Sequence, residues 1–485
     1  MPGPAHRAGG PCTVGGVDVK SAGREGAGTR SAPVAVPLLR MKLLPAFWYL
    51  VWPTGLSNVF QSAVEWTVLR FLGTLGPAVL GAVGLSRNLL MWASAPLWAL
   101  AVGAVALAAR YRGASDEERV KATVLNSMLL AVTVSGAIAA AGWMAAPWLL
   151  KVMGARGDIH ASALVYLRWL FVGTPFMINY FNCLMLLRAL GEARTALYIQ
   201  AACNLCHLAL TYLLIFGPGP LPALGVPGAG MAFALSRLVG WLLGLGVFLG
   251  GRSSVVLTFA DFRLLRPDIA ILRALGRLGA PNLVENWAWS SGRLVLVRIV
   301  VATATGGVAL SAYTVGTQVE GLLMMAGNAA AMATSALVGQ YLGAGSPRTA
   351  ARATHLVARV CGVSFGALGA LLLGAAPQVA GLFSRDPAVL AYSASYIRML
   401  GVTSVFYSLI MVYAAALRGA GDTRSPMYVS LLNIWLVQVP LSWLLGIALG
   451  WGPAGIWRAI GCSFVLQCAM LIWSFRRGTW ARVAL

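Results

Sequence analysis

Three acidic residues fall inside long apolar runs of this chain: Glu65, Glu285 and Glu320. A charged side chain at the centre of a lipid-embedded helix costs about 3 kcal/mol, so such residues face a cavity or a partner and mark ion or substrate pathways. Glu285 sits in Pro281-Asn282-Leu283-Val284-Glu285-Asn286-Trp287-Ala288-Trp289, four residues after a proline that can interrupt a helix beside a cavity. Asn286 adds a polar neighbour, and Trp287 and Trp289 offer aromatic faces of the kind that attract organic cations. Arg293 follows two turns later on nearly the same face. Glu285 is therefore either a coupling carboxylate that exchanges counter-ions or a structural one neutralised by Arg293. Glu320, in Gln318-Val319-Glu320-Gly321, carries the same two readings: function, or a buried pair with an arginine.

Other constellations carry less. Cys203-Asn204-Leu205-Cys206-His207 spells the c-type haem attachment string, but it lies within an apolar run where a haem has no room. The sequence holds no zinc-protease motif, no phosphate-binding loop and no carboxylates paired at catalytic spacing. Neither an enzyme, a resident metal nor a cofactor is expected. Without a nucleotide loop, the energy source left for work across a membrane is an ion gradient, H⁺ or Na⁺, acting through the glutamates.

The elements that would position these residues are membrane helices. Hydrophobic residues make up 59% of the 485, charged ones 10%, and mean hydropathy is +0.78. A water-soluble surface cannot be built at that composition, so the partner is the lipid bilayer. The net charge of +22 does not point to nucleic acid. Lys and Arg concentrate in short loops on alternating sides of the apolar runs, which is a topology signal. With both ends in the cytoplasm, the outer loops hold only Lys151, Arg156 and Arg385.

The chain also repeats itself at an offset of 230 residues. Leu187-Arg188-Ala189-Leu190-Gly191-Glu192-Ala193-Arg194 matches Leu417-Arg418-Gly419-Ala420-Gly421-Asp422-Thr423-Arg424, and Tyr111-Arg112-Gly113-Ala114 matches Tyr341-Leu342-Gly343-Ala344. In the later turn, Arg418 suits a helix C-terminus, Gly419 and Gly421 suit a left-handed stop, and Asp422 and Thr423 suit the next N-cap. That turn reads first as a connector.

The expected fold is all-α: an integral membrane protein of twelve transmembrane helices in two six-helix pseudo-symmetric bundles. Residues 1–40 read as a disordered N-terminal extension, with a native start expected at Met41. Residues 41–250 form the first bundle, 251–278 a cytoplasmic link, and 279–485 the second bundle with a short tail. The seventh helix is expected over 279–303. Six helices per half give both halves one orientation, the layout of transporters with a site between parallel repeats. A monomer is expected.

Leu417 to Met427, together with Val338-Gly339-Gln340-Tyr341-Leu342-Gly343-Ala344-Gly345, resembles the multidrug and toxic compound extrusion (MATE) family. The likeness runs from about Leu43 to Phe475. It implies export of organic, cationic, amphipathic compounds in exchange for H⁺ or Na⁺, by alternating access at the bacterial inner membrane. Pro281 through Arg298 is similar to a family helix in which an acidic residue is tied to ion and drug handling. Many members carry an Asp in helix 1 where this chain has Val68, and polar family positions of helix 5 fall on His207 and Thr211. Glu65, one turn before Val68, could rebuild that site with His207. A lipid-linked saccharide flippase of the same superfamily is the alternative, because Arg70, Arg87, Arg237, Arg293 and Arg298 also lie within the apolar spans.

Overall fold

Apolar runs of 24 to 38 residues fold as helices because a helix satisfies every backbone donor and acceptor internally, which a hydrocarbon environment demands. The computed structural model describes residues 38–153, 157–218, 222–258, 261 and 267–483. In chain order the long helices are α1 (Leu43–Gly73), α2 (Pro77–Gly113), α3 (Glu117–Val152), α4 (Gly157–Ala189), α5 (Ala193–Phe216) and α6 (Val226–Leu249). The second half holds α7 (Ile269–Val301), α8 (Gly306–Gly343), α9 (Pro347–Gly381), α10 (Pro387–Gly419), α11 (Arg424–Ala448) and α12 (Gly452–Arg476). Among the described residues there is no strand. Ten of the twelve are apolar and long enough to cross a membrane; the other two, α1 and α7, are those that carry Glu65 and Glu285.

The expected extension lies outside the described residues except for its end. Leu38–Arg40 form a 3₁₀ turn, and Leu38 is buried against Gly191. The fold thus begins before Met41. The seventh helix also begins earlier than 279: Asp268 caps it, its carboxylate accepting from the amides of Ala270 and Ile271 at 2.8 and 3.3 Å. Arg273 and Arg277 interrupt the apolar run without interrupting the helix.

The repeated turn closes both α4 and α10 in one way. The amide of Glu192 donates to the Leu187 carbonyl at 2.8 Å, and that of Asp422 to the Leu417 carbonyl at 2.9 Å. Gly191 and Gly421 supply the left-handed residue, at φ +94° and +89°. Gly419 stays helical, and Thr423 makes no side-chain cap bond. Asp422 caps instead, accepting from the Ser425 amide at 3.0 Å.

Apolar packing differs between the two ends of the molecule. At the end where Leu38 and Trp480 lie, one buried cluster joins the start of α1 to α8, α9 and α10, and another joins α2–α6 to the start of α7. Toward the opposite end each bundle keeps its own core: one cluster stays within α1–α6 and another within α7–α12. Among the described residues, the apolar clusters that join the two bundles lie at the terminal end.

The seal is reciprocal. A methyl group on Gly113 would collide with the carbonyl of Gln340, and one on Gly343 with the carbonyl of Arg110. Each pair is the other displaced by the 230-residue offset. Small residues at both positions let α2 and α8 cross backbone to backbone. Gln340 then donates to the Ala189 carbonyl at 2.8 Å, tying α8 to the end of α4.

Candidate functional site

Glu285 projects from α7 toward the end of α10 and the start of α11. Arg418 donates to its Oε1 at 2.8 Å, and the Ser430 hydroxyl donates to the same oxygen at 2.8 Å. Its other oxygen, Oε2, is buried without a protein partner. The counter-charge is thus Arg418 and not Arg293. Sequence reading assigned Arg418 to helix closure alone, because a partner 133 residues away leaves no local trace.

Ser430 continues the network. Gln467 of α12 donates to its hydroxyl at 3.3 Å, and Asn433 donates to Gln467 at 3.3 Å. Asn433 opens a π-helical turn, Asn433–Gln438, and a second follows at Leu444–Ala448. Such turns are uncommon and recur at functional sites.

Asn433 and Gln467 also line a cavity of about 30 Å³ within the second bundle, shared with Trp289, Arg293, Tyr313 and Glu320. That volume holds a water molecule or an ion, not a drug. Glu320 accepts from the Tyr396 hydroxyl at 3.1 Å, and Arg293 lies over the Trp289 ring at 4.6 Å. Glu285 is therefore tied, through Ser430 and Gln467, to the lining of the cavity that Glu320 shares. Tyr396, Ser430 and Gln467 were not singled out from sequence, since single hydroxyls and amides on apolar helices look like packing.

Asn286 donates to the Asn282 carbonyl at 2.9 Å and joins no network with Glu285. Trp287 and Trp289 are 48% and 40% exposed, and only Trp289 reaches the cavity.

The first bundle is arranged differently. Glu65 pairs with Arg87 at 3.1 Å and accepts from Gln61 at 3.1 Å. His207 does not join it. The imidazole is buried, edge-on to Phe233 at 6.2 Å, with Nδ1 unpartnered. Val68 is buried in the bundle core. Cys203 is also buried; its sulfur lies 3.3 Å from the Arg237 guanidinium and 3.2 Å from the Ser236 carbonyl. That is a packing role between α5 and α6. Among the described residues no group of three His, Cys, Asp or Glu could hold a metal ion.

The MatE family profile matches residues 53–213 and 281–444, one block in each bundle. The chain belongs to the MATE family. The family is one of transport proteins. This MATE chain is 26% identical over 457 residues to the probable multidrug resistance protein NorM of Thermotoga maritima, covering 93% of this chain and 95% of that one. It is 28% identical over 444 residues to the multidrug resistance protein PmpM of Pseudomonas aeruginosa, covering 88% and 90%. Among solved structures, a MATE transporter in the bent conformation superposes with a TM-score of 0.85 at 24% identity, covering 93% of this chain and 99% of that one. Twelve helices in two homologous bundles are the fold they share.

Proposed function

We propose that this MATE protein is a secondary active antiporter of the bacterial inner membrane. It exports organic, cationic, amphipathic compounds in exchange for H⁺ or Na⁺, with both termini in the cytoplasm. Family membership and multidrug relatives at 26–28% identity support export of small molecules. The observation that carries the coupling is Glu285: a carboxylate with one oxygen held by Arg418 and Ser430 and the other buried and unpartnered.

The geometry supports the following mechanism. Arg418 satisfies Glu285 when nothing else does. A proton or Na⁺ arriving at Oε2 weakens the hold on Arg418, and an organic cation that competes for the same carboxylate cannot bind with it. That exclusion is antiport. The Ser430–Gln467–Asn433 network connects Glu285 with the cavity beside Glu320, so the ion path in the second bundle spans both glutamates. Trp289 is covered by Arg293, and an organic cation stacking there would have to displace it. In the proposed orientation the seal between α2 and α8 closes the cytoplasmic side, and the cleft faces outward. Rocking of the bundles would exchange the two.

The second reading is a flippase for a lipid-linked saccharide. Arg188 and Arg237 favour it: both are buried in the first bundle, and neither makes a salt bridge among the described residues. Uptake of a fluorescent cationic dye into everted vesicles under a pH or Na⁺ gradient separates the two. Ion-driven uptake supports the antiporter; none, with translocation of a pyrophosphate-linked lipid instead, supports the flippase.

A further inference from the structure

Arg188 is a buried arginine with no carboxylate beside it among the described residues. It lies in the last turn of α4, 6% exposed, where its repeat mate Arg418 meets Glu285 directly. Its Nη2 donates instead to Gln200 Oε1 at 2.6 Å and to the Ser57 hydroxyl at 3.2 Å. Gln200 occupies the position that Ser430 holds in the second half, one repeat offset of 230 residues away.

The bonds continue in one direction. Gln200 Nε2 donates to Gln61 Oε1 at 2.6 Å, and Gln61 Nε2 donates to Glu65 Oε1 at 3.1 Å. Each amide accepts on its oxygen and donates from its nitrogen, so the row is polarised from the arginine to the carboxylate. Glu65 is thus the distant counter-charge of Arg188, and its other oxygen is held by Arg87 at 3.1 Å. The Glu65 side chain is 36% exposed and can change partners, whereas Gln200 and Arg188 cannot reach solvent.

At its other end the row touches the opposite bundle. Arg188 Nη1 approaches the Met332 sulfur of α8 at 3.9 Å, and the next residue, Ala189, accepts from Gln340 of the α2–α8 seal. We infer that Gln61, Gln200 and Arg188 are positioning residues that transmit the occupancy of Glu65 to the seal between the bundles. The inference rests on the antiport reading for its purpose but on the hydrogen bonds for its path. When Glu65 is neutralised, the amide row loses its acceptor charge, and Arg188 is left buried without compensation beside the seal. The closed arrangement is then disfavoured.

The test reads the seal itself. Spin labels on Ala114→Cys and Ala344→Cys, both exposed and adjoining Gly113 and Gly343, report its width in a background with the seven native cysteines replaced. The protein is reconstituted in nanodiscs. Glu65→Gln should shift the distance distribution toward the longer population by several-fold. In a Gln200→Leu background Glu65→Gln should add no further shift, and Gln61→Leu serves the same purpose if Gln200→Leu does not fold. An unchanged distribution in Glu65→Gln, or a full shift that survives both leucine variants, overturns the inference. The outcome is separable from the antiport reading, which stands or falls on ion-driven transport by Glu285→Gln in the native background.

Discussion

Arg188 and Arg418 occupy one position of the repeat, at the ends of α4 and α10, and each donates to the first helix of its own bundle. Arg418 finds a carboxylate on the first helix, Glu285; Arg188 finds Ser57 there and an amide, Gln200, on the fifth. Gene duplication supplied one scaffold, and the halves diverged in where the balancing charge sits. The second bundle holds it in direct contact. The first holds it at Glu65, beyond two glutamines.

The direct pair makes a prediction. Breaking a buried ion pair by removing one partner costs about 3–5 kcal/mol, and this pair is 25% and 13% exposed, so the lower end applies. Arg418→Gln should lower the melting temperature in detergent. The double variant with Glu285→Gln should recover most of it, without recovering transport. A double variant no more stable than Arg418→Gln would mean that the two charges do not compensate each other.

Leu38 makes a second. Leu-to-Ala changes in well-packed cores cost about 2–5 kcal/mol, and Leu38 is 2% exposed against Gly191 and the α8 end. A chain beginning at Met41 should unfold at lower temperature than one beginning at Leu38. Equal thermal unfolding of the two would show that Leu38 contributes nothing.

The reciprocal glycines make a third. Overpacking costs about 1–3 kcal/mol, and at Gly343 the obstacle is the backbone of Arg110, which cannot turn aside. Gly343→Val should favour separation of α2 and α8, read as a longer distance between spin labels on Ala114→Cys and Ala344→Cys. An unchanged distance would mean that the crossing tolerates the bulk.

Cys203 makes a fourth. Its sulfur is enclosed by Arg237 and Ser236, so the purified protein should show no haem absorbance near the Soret region. Cys203→Ala with Cys206→Ala should cost about 1 kcal/mol, the worth of a typical buried hydrogen bond, and leave transport intact. A covalently held haem on a gel would contradict this.

Much of the architecture was legible. The 230-residue offset announced two halves, and hydropathy located the helices because bilayer thickness fixes their length. The start of α7 was missed because Arg273 and Arg277 end the apolar run, while Asp268 caps a helix that starts at Ile269, ten residues before 279. At the candidate site, carboxylates on apolar helices stand out by their cost, which singles out Glu65, Glu285 and Glu320. Their partners do not stand out. Arg418 looked complete as a helix terminator, and Gln200 and Gln467 looked like packing, because the contacts that define them join helices far apart in the chain. His207 stood out for the opposite reason: a polar residue in an apolar run draws notice whether or not it joins a network.

Glu285→Gln tests the central claim most directly. The variant keeps the side chain's size and its ability to accept from Arg418 and Ser430, and removes only the charge that an ion or organic cation would compete for. Dye uptake into everted vesicles should be measured under separate pH and Na⁺ gradients, with the amount of inserted protein matched to the parent. The account predicts normal insertion with loss of ion-driven uptake, and partial uptake in Glu285→Asp. Uptake by Glu285→Gln at the parental rate would contradict it.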